Sequence, residues 1–345
     1  MNLLFKDFLK LKPSNRDWRI AALAGICVGS PLLIGWYFDQ LSSGLISCLS
    51  ALVILYLPAR GSLTHKINTL MICSFGFMGS FALGQFFSFN PIAAVLSFGI
   101  FSLVLHAIIL HYKAEPPRSF FFIMIFSISI SQPFSLENLP HKIGLISLGT
   151  LLSTAIGLTY ILYKRSKAEP EPSQSLKSKD PDSTADIWEA IIMGLFMALS
   201  LGLGYALKIN NPYWIPISCA AVMQGASLNH IWQRSLQRIF GTLLGLGLCW
   251  LLLSSTQSKL LLCLYIIALQ FIVEMLVTRN YALAVIFITP LAIFMSEAAD
   301  PIINNPATLI ALRFNEIVLG SLLGALGGWL LHKEKLRYFA LKKLG

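Results

Sequence analysis

Charge is what this chain of 345 residues has least of: Asp, Glu, Lys and Arg make up 12% of it, about half the share of a soluble domain. Hydrophobic residues make up 56%. A soluble fold of that composition would have too few polar side chains to cover its surface, so a soluble enzyme or binding domain is excluded. Catalytic patterns are lacking too. The sequence holds no GxSxG turn, no phosphate-cradling glycine run with its lysine, no HExxH and no paired carboxylates within one membrane layer. Nothing in it calls for a cofactor, a metal or nucleotide hydrolysis. Cys27, Cys48, Cys73, Cys219, Cys249 and Cys263 have neither CxxC nor metal-ligand spacing. All six fall in apolar runs and are expected to be small buried hydrophobes. No cleavage site follows the charged first 19 residues, so the first apolar run is expected to stay as an anchor.

Long apolar runs are abundant. They cover 19–38, 42–58, 67–87, 91–112, 119–134, 143–163, 187–207, 213–226, 239–255, 259–277, 281–295 and 315–332. A membrane-crossing helix takes about 17–25 residues, so these predict an all-α membrane protein of about twelve transmembrane helices. The shorter runs are expected to be tilted, broken or extended by helix outside the bilayer. With the N-terminus cytoplasmic, 22 of the 26 Lys and Arg residues fall on the cytoplasmic side. Only Lys142, Lys208, Lys259 and Arg313 fall on the other. Retention of cationic loops produces that bias and places both termini in the cytoplasm. The net charge of +10 lies in short loops rather than on one face. It is expected to meet the anionic cytoplasmic leaflet, not nucleic acid.

Residues 164–186 have the opposite character, rich in Pro, Ser, Lys and Glu, and read as a flexible cytoplasmic linker. It separates a first half, 1–163, from a second, 187–345. The halves look duplicated. Leu148 through Gly157 aligns with Leu319 through Gly328 at an offset of 171, and Lys66 pairs with Arg238 at 172. Six spans per half means both copies enter in the same sense, as parallel repeats about an axis along the membrane normal. The aligned stretch is a ladder of small residues: Gly149, Ser153 and Gly157 match Gly320, Gly324 and Gly328, and Gly241 with Gly245 makes a third. Four-residue spacing puts each set on one helix face, so tight helix contacts are expected there.

The run Pro212-Tyr213-Trp214 through Gln224, followed by Arg234-x3-Arg238-x2-Gly241-Thr242-x2-Gly245, resembles the fusaric acid resistance protein family. That family includes the aromatic acid exporters and is distantly similar to the aluminium-activated malate transporters. Glu274 through Tyr281, Thr289-Pro290 and Arg313-x6-Gly320-x3-Gly324 resemble further blocks of it. The resemblance covers about 185–332. The first half matches in layout only, with Lys66 where an Arg is expected. It implies transport of organic anions across a bacterial inner membrane. Larger members carry a sizeable soluble domain with no counterpart in this sequence, which leaves an accessory periplasmic subunit or a homo-oligomer as the protein partner.

Among the cations, Lys66 and Arg238 are expected to open spans three and nine at the cytoplasmic face, and Lys142 and Arg313 spans six and twelve at the other. Each pair would flank the axis, giving an anion path two positive charges at either mouth, reinforced by helix N-termini. The plain alternatives are positive-inside bias for the first pair and, for the second, snorkelling or ion pairs of Arg313 with Glu316 and Lys142 with Glu137. Arg234 shares a helix face with Arg238 and suits a carboxylate. Glu274 is the most membrane-embedded carboxylate, either a proton relay or a partner of Arg279. Tyr213 and Trp214 form either an interfacial belt or a stacking surface for an aromatic substrate. Asn280 and Tyr281 make a polar cluster, and Pro290 after Thr289 frees a carbonyl and bends its helix, as Pro216 would. Residues 226–238 are either an interfacial amphipathic helix or a turn. His106 and His111 are expected to be satisfied core or edge residues, and Asp39 and Glu189 to be solvated.

These features together predict an exporter of small organic anions of the aromatic carboxylate class, driven by the proton gradient. Two alternatives stay open: a passive anion channel of the same fold, and a non-transporting scaffold or accessory subunit.

Overall fold

The structure is a computed structural model that describes residues 11, 13, 17–167, 183–209, 212–225, 227–256, 258–297 and 306–332. Among them the regular structure is wholly helical: α1 Trp18–Tyr37, α2 Leu41–Ser50 prolonged by a 3-10 helix Ala51–Tyr56, α3 Leu63–Phe87, α4 Pro91–His111, α5 Phe120–Ile130, α6 Leu139–Lys167, α7 Ser183–Ala206, α8 Trp214–Met223, α9 Leu228–Ser255, α10 Lys259–Leu276, α11 Tyr281–Glu297 and α12 Pro306–Leu331. Every apolar run thus holds a helix.

The main difference from expectation is at helix starts. α9 begins at Leu228 rather than 239 and α12 at Pro306 rather than 315. Residues 228–238 are therefore neither a separate interfacial helix nor a turn, but the opening turns of α9. Pro216 does not break α8, because it stands in the first turn, where its missing N–H leaves no bond unmade. Pro290 does lie inside α11. Helix also covers both ends of the expected linker, to Lys167 and from Ser183; its residues 168–182 lie outside the described residues.

Eight helices are long and apolar enough to cross a bilayer, and the chain is a multi-pass membrane protein. Apolar side chains such as Ile72, Phe75, Leu96, Ile100, Leu244 and Leu251 stand exposed on their outer faces, as lipid contact requires. The helices α2, α5, α8 and α11 are shorter. At about 1.5 Å per residue, α5 and α8 run roughly 15 Å, half the hydrocarbon thickness. Every residue of α8 is buried, so its open ends meet protein rather than lipid.

Local signals recur in both halves. The hydroxyl of Ser62 accepts from the His65 N–H at 3.2 Å, and that of Ser227 from the His230 N–H at 3.3 Å. These caps start α3 and α9. α1 and α7 both end on a left-handed residue, Asp39 with φ 53° and Lys208 with φ 54°. The N–H that follows returns to Gly35 in one case and Gly204 in the other.

Packing is reciprocal. In the first half α2 packs on α6 and α3 on α5; in the second α8 packs on α12 and α9 on α11. Between halves, α4 packs on α7 and α10 on α1, and α5 meets α8 as α11 meets α2. The small-residue ladders make these contacts close. A methyl added at Gly149 would strike the Ser47 carbonyl and Ser50 hydroxyl, and one at Gly320 the Ile215 carbonyl and Ser218. Between Gly149 and Gly157, the Ser153 hydroxyl donates to the Ala51 carbonyl at 2.8 Å. Gly245 faces the Ile286 carbonyl, the one that Pro290 leaves without its helical N–H partner. All six cysteines are buried and free.

Gly320→Ala should therefore destabilise the bundle by about 1–3 kcal/mol through overpacking against backbone. Gly247→Ala, whose methyl would meet nothing within 4 Å, should not destabilise it. Thermal unfolding of the detergent-purified variants checks both.

Candidate functional site

One cavity lies between α8, α9, α11 and α12. Its lining comprises Trp214 of α8, Arg238 and Thr242 of α9, Val285, Ile288, Thr289, Ala292 and Ile293 of α11, and Arg313 and Ile317 of α12. Each helix is fixed locally. The Ser227 cap sets the register of α9, and Asn280 caps α11, its side-chain oxygen accepting from the Leu283 N–H at 3.1 Å. The Gly245 and Gly320 contacts bring α9 against α11 and α12 against α8. Five lining residues are aliphatic, and two are arginines from different helices.

Arg313 is 4% exposed. Its Nη1 donates to Glu316 Oε2 at 2.6 Å and its Nη2 to the Tyr213 hydroxyl at 3.1 Å. Its guanidinium lies 5.1 Å from the Tyr213 ring and 5.2 Å from the Trp214 ring. The Tyr213 carbonyl accepts from Ser127 of α5 at 3.1 Å, so a first-half helix holds the loop that carries these rings. The expected Arg313–Glu316 pair is present, and both aromatics are buried rather than in an interfacial belt.

Arg238 is 5% exposed, and its Nη1 donates to the Tyr281 hydroxyl at 3.2 Å. Its Nε, and the Trp214 indole Nε1, are buried with no hydrogen-bond partner among the described residues. Two orphaned donors on the wall of one cavity make a place for an acceptor, since an unmet buried donor costs about 1–3 kcal/mol. A carboxylate carries only acceptors, and guanidinium is its best-matched partner.

The remaining site candidates divide. Arg234 stands over the Tyr281 ring at 4.0 Å, and its Nε donates to the Ala221 carbonyl at 3.2 Å. There it caps the C-terminus of α8, where a cation is favoured. Thr289 lines the cavity, with its hydroxyl donating to the Val285 carbonyl at 2.9 Å. Glu274 is buried, accepting from Gln270 Nε2 at 3.4 Å. Lys142 is half-buried elsewhere, donating to Gln132 at 2.8 Å and Gln85 at 3.5 Å; this replaces the suggested pair with Glu137. The Lys66 side chain is half-buried near the start of α3 and does not line the cavity.

The expected arrangement of two cations at each mouth is thus replaced. Arg238 and Arg313 share one cavity, while Lys66 and Lys142 lie outside it. The pairing of Lys66 with Arg238 also fails. Matched where each helix meets its neighbour, Gly84 against Phe126 and Ser129 as Gly245 against Ile286 and Thr289, α3 carries Phe77 where α9 carries Arg238. That place in the first half is filled. Phe77 is fully buried, with its ring centroid 5.0 Å from Phe122 and 5.8 Å from Tyr56.

One polar pair escaped the sequence reading. His106 of α4 is buried, with Nδ1 2.8 Å from Ser119 Oγ and Nε2 3.3 Å from Glu189 Oε1 of α7. Glu189 is therefore not simply solvated. Outside the helices, Asp39 accepts from Lys259 at 2.7 Å, which holds its carboxyl below the usual range. No cluster of three His, Cys, Asp or Glu suited to a metal occurs among the described residues.

Comparison with known proteins falls on the same part of the chain. Residues 197–327, which include every residue lining the cavity, match the family described as fusaric acid resistance protein-like. The chain is also 37% identical over 145 residues to the uncharacterized membrane protein YvaC of Bacillus subtilis (strain 168). That match covers 42% of this chain and 22% of the relative, so the chain spans about a fifth of that protein's length. Neither finding extends to the aluminium-activated malate transporters. No solved structure matches.

Arg313→Met leaves Glu316 buried without its cation and should cost about 3–5 kcal/mol. Arg313→Met with Glu316→Leu should recover most of that loss. Apparent melting temperatures in one detergent compare the three proteins.

Proposed function

We propose that this chain exports small organic anions of the aromatic carboxylate class across the bacterial inner membrane. The observation that carries the proposal is the pairing, on one cavity wall, of Arg238 Nε and Trp214 Nε1, buried donors with no protein acceptor. A carboxylate accepts from Arg238 and Trp214, and the Arg313 guanidinium, beside the Trp214 ring, adds positive charge. The aliphatic wall from Val285 to Ile293 and Ile317 receives the ring. Each element suits a flat, singly charged, apolar anion and disfavours a strongly hydrated one.

The cavity is about 10 Å³, close to the space one water molecule needs. A bound ring therefore requires α11 or α12 to move. That favours a carrier, which alternates between closed and open shapes, over a standing channel. Pro290 marks where α11 bends with least loss of hydrogen bonding.

On this reading the chain crosses the membrane twelve times, as parallel repeats 1–163 and 187–345, with both termini cytoplasmic. The four shorter helices cross as part-helix and part-coil buried in protein, which membranes tolerate. The cytoplasmic cations face the anionic leaflet. Outward transport draws on the proton gradient, with Glu274 as a relay reached from the cytoplasmic end of α10. Glu274→Gln should then abolish gradient-driven export and leave exchange intact.

Efflux of benzoate from proteoliposomes tests the site. Arg238→Ala removes a charged hydrogen bond worth about 1.5–3 kcal/mol, so efflux should fall about 10- to 100-fold, with partial retention in Arg238→Lys. Wild-type rates in Arg238→Ala would end the assignment.

A further inference from the structure

We propose that the seam between α4 and α7 is a proton-binding site, formed by His106, Glu189 and Ser119, which couples proton binding to the joint between the two halves. His106 and Glu189 come from opposite halves. The imidazole is enclosed, with its side chain 3% exposed, whereas the Glu189 side chain is 37% exposed. A half-open carboxylate thus leads from water to a closed ring.

The hydrogen-bond chemistry fits gain and loss of one proton. An ionised Glu189 can only accept, so it requires a proton on Nε2, 3.3 Å away. Nδ1, 2.8 Å from Ser119 Oγ, then accepts from the hydroxyl in the neutral ring or donates to it in the charged one. Switching between these states needs only rotation of the Ser119 hydroxyl. A proton from water makes an N–H bond at the imidazole and leaves by the reverse step. Besides Ser119, the groups facing the pair are Arg118 at the entry to α5 and His332 beyond α12, both close enough to act on Glu189.

Placement gives the proton something to work on. Along this seam Gly99 meets Gly194 and Ala198, so the two backbones are in contact and the halves meet rigidly. Protonation puts a positive charge on the donor of a hydrogen bond whose acceptor, Glu189, is already ionised, and so turns the contact across the seam into an ion pair. The reciprocal seam, α10 on α1, is built alike: Ile267 packs on Gly25 and Gly29. Glu274 stands as far along α10 as His106 along α4, and it too is buried. The helices α4 and α10 therefore each carry an enclosed acid or base at the same position along their length.

Proton binding stands without the proposed transport; only its use in coupling rests on that reading. The full chain, labelled with ¹⁵N-histidine in lipid nanodiscs, is titrated by NMR, and the signal lost in His106→Gln assigns the residue. The His106 signal should change as pH is varied, and Glu189→Gln should move that change to lower pH. A His106 held in one state from about pH 4 to 9, or a midpoint unchanged in Glu189→Gln, overturns the site. In proteoliposomes, His106→Gln keeps hydrogen-bonding capacity but cannot carry the proton. It should reduce gradient-driven benzoate efflux about tenfold while benzoate exchange stays at the wild-type rate. Driven efflux equal to wild type overturns the coupling role. Wild-type protein that moves no benzoate would end the transport proposal, and the titration alone would then decide the proton site.

Discussion

Arg313 is a charged group enclosed in an apolar helix bundle, and the second half is arranged around that constraint. A guanidinium taken out of water costs several kcal/mol unless its donors are met. Glu316 meets one side, a single helical turn away. Tyr213 meets another from the start of α8, and that residue can be there only because Gly320 lets α12 touch the α8 backbone. Ser127 of α5 then fixes the Tyr213 carbonyl. A glycine, a carboxylate, a phenol and a serine from three helices thus serve one cation. Arg238 is supplied less completely, and this difference separates a structural arginine from one with capacity left for a ligand.

The reciprocal packing of the halves has a mechanical consequence. α1 and α4 pack chiefly on α10 and α7, helices of the opposite half. Neither half is a self-contained unit, and a shift of one passes to the other through the two seams. Both seams rest on small residues facing each other or an Ile side chain, contacts that resist continuous deformation. Such joints favour movement between discrete arrangements, which an alternating carrier needs and a fixed scaffold does not.

Much of this was legible in the sequence. The apolar runs located all twelve α-helices of the described residues, because a lipid-facing helix must be hydrophobic along its length and loops need not be. The ladders at Gly149 and Gly320 foretold close contacts, because four-residue spacing maps to a helix face without further information. The starts of α9 and α12 were not legible. Their first turns are polar or mixed, as with Asn229, His230, Gln233 and Arg234, and hydrophobicity stops reporting helix where side chains leave the membrane. That error carried Arg238 to a mouth when it lies well inside α9. The His106–Glu189 contact was beyond reach for another reason: it joins helices 83 residues apart, and no spacing rule connects them.

The inequality of the halves has a physical reading. Two copies of the cavity would enclose two sets of arginines in one bundle, each with its own desolvation cost. The first half instead places Phe77 at the position of Arg238. It fills the space with Tyr56, Phe77 and Phe122 packed edge to face, a geometry that adds about 0.5–1.5 kcal/mol per pair beyond burial. Lys142, the first-half counterpart of Arg313, is satisfied by two glutamine oxygens at the periphery of that cluster. One half gives up stability to hold unmet donors in an apolar wall, and the other is packed to offset it. For the proposed transport, this difference puts the unmet donors, and with them the proposed ligand site, inside the second half.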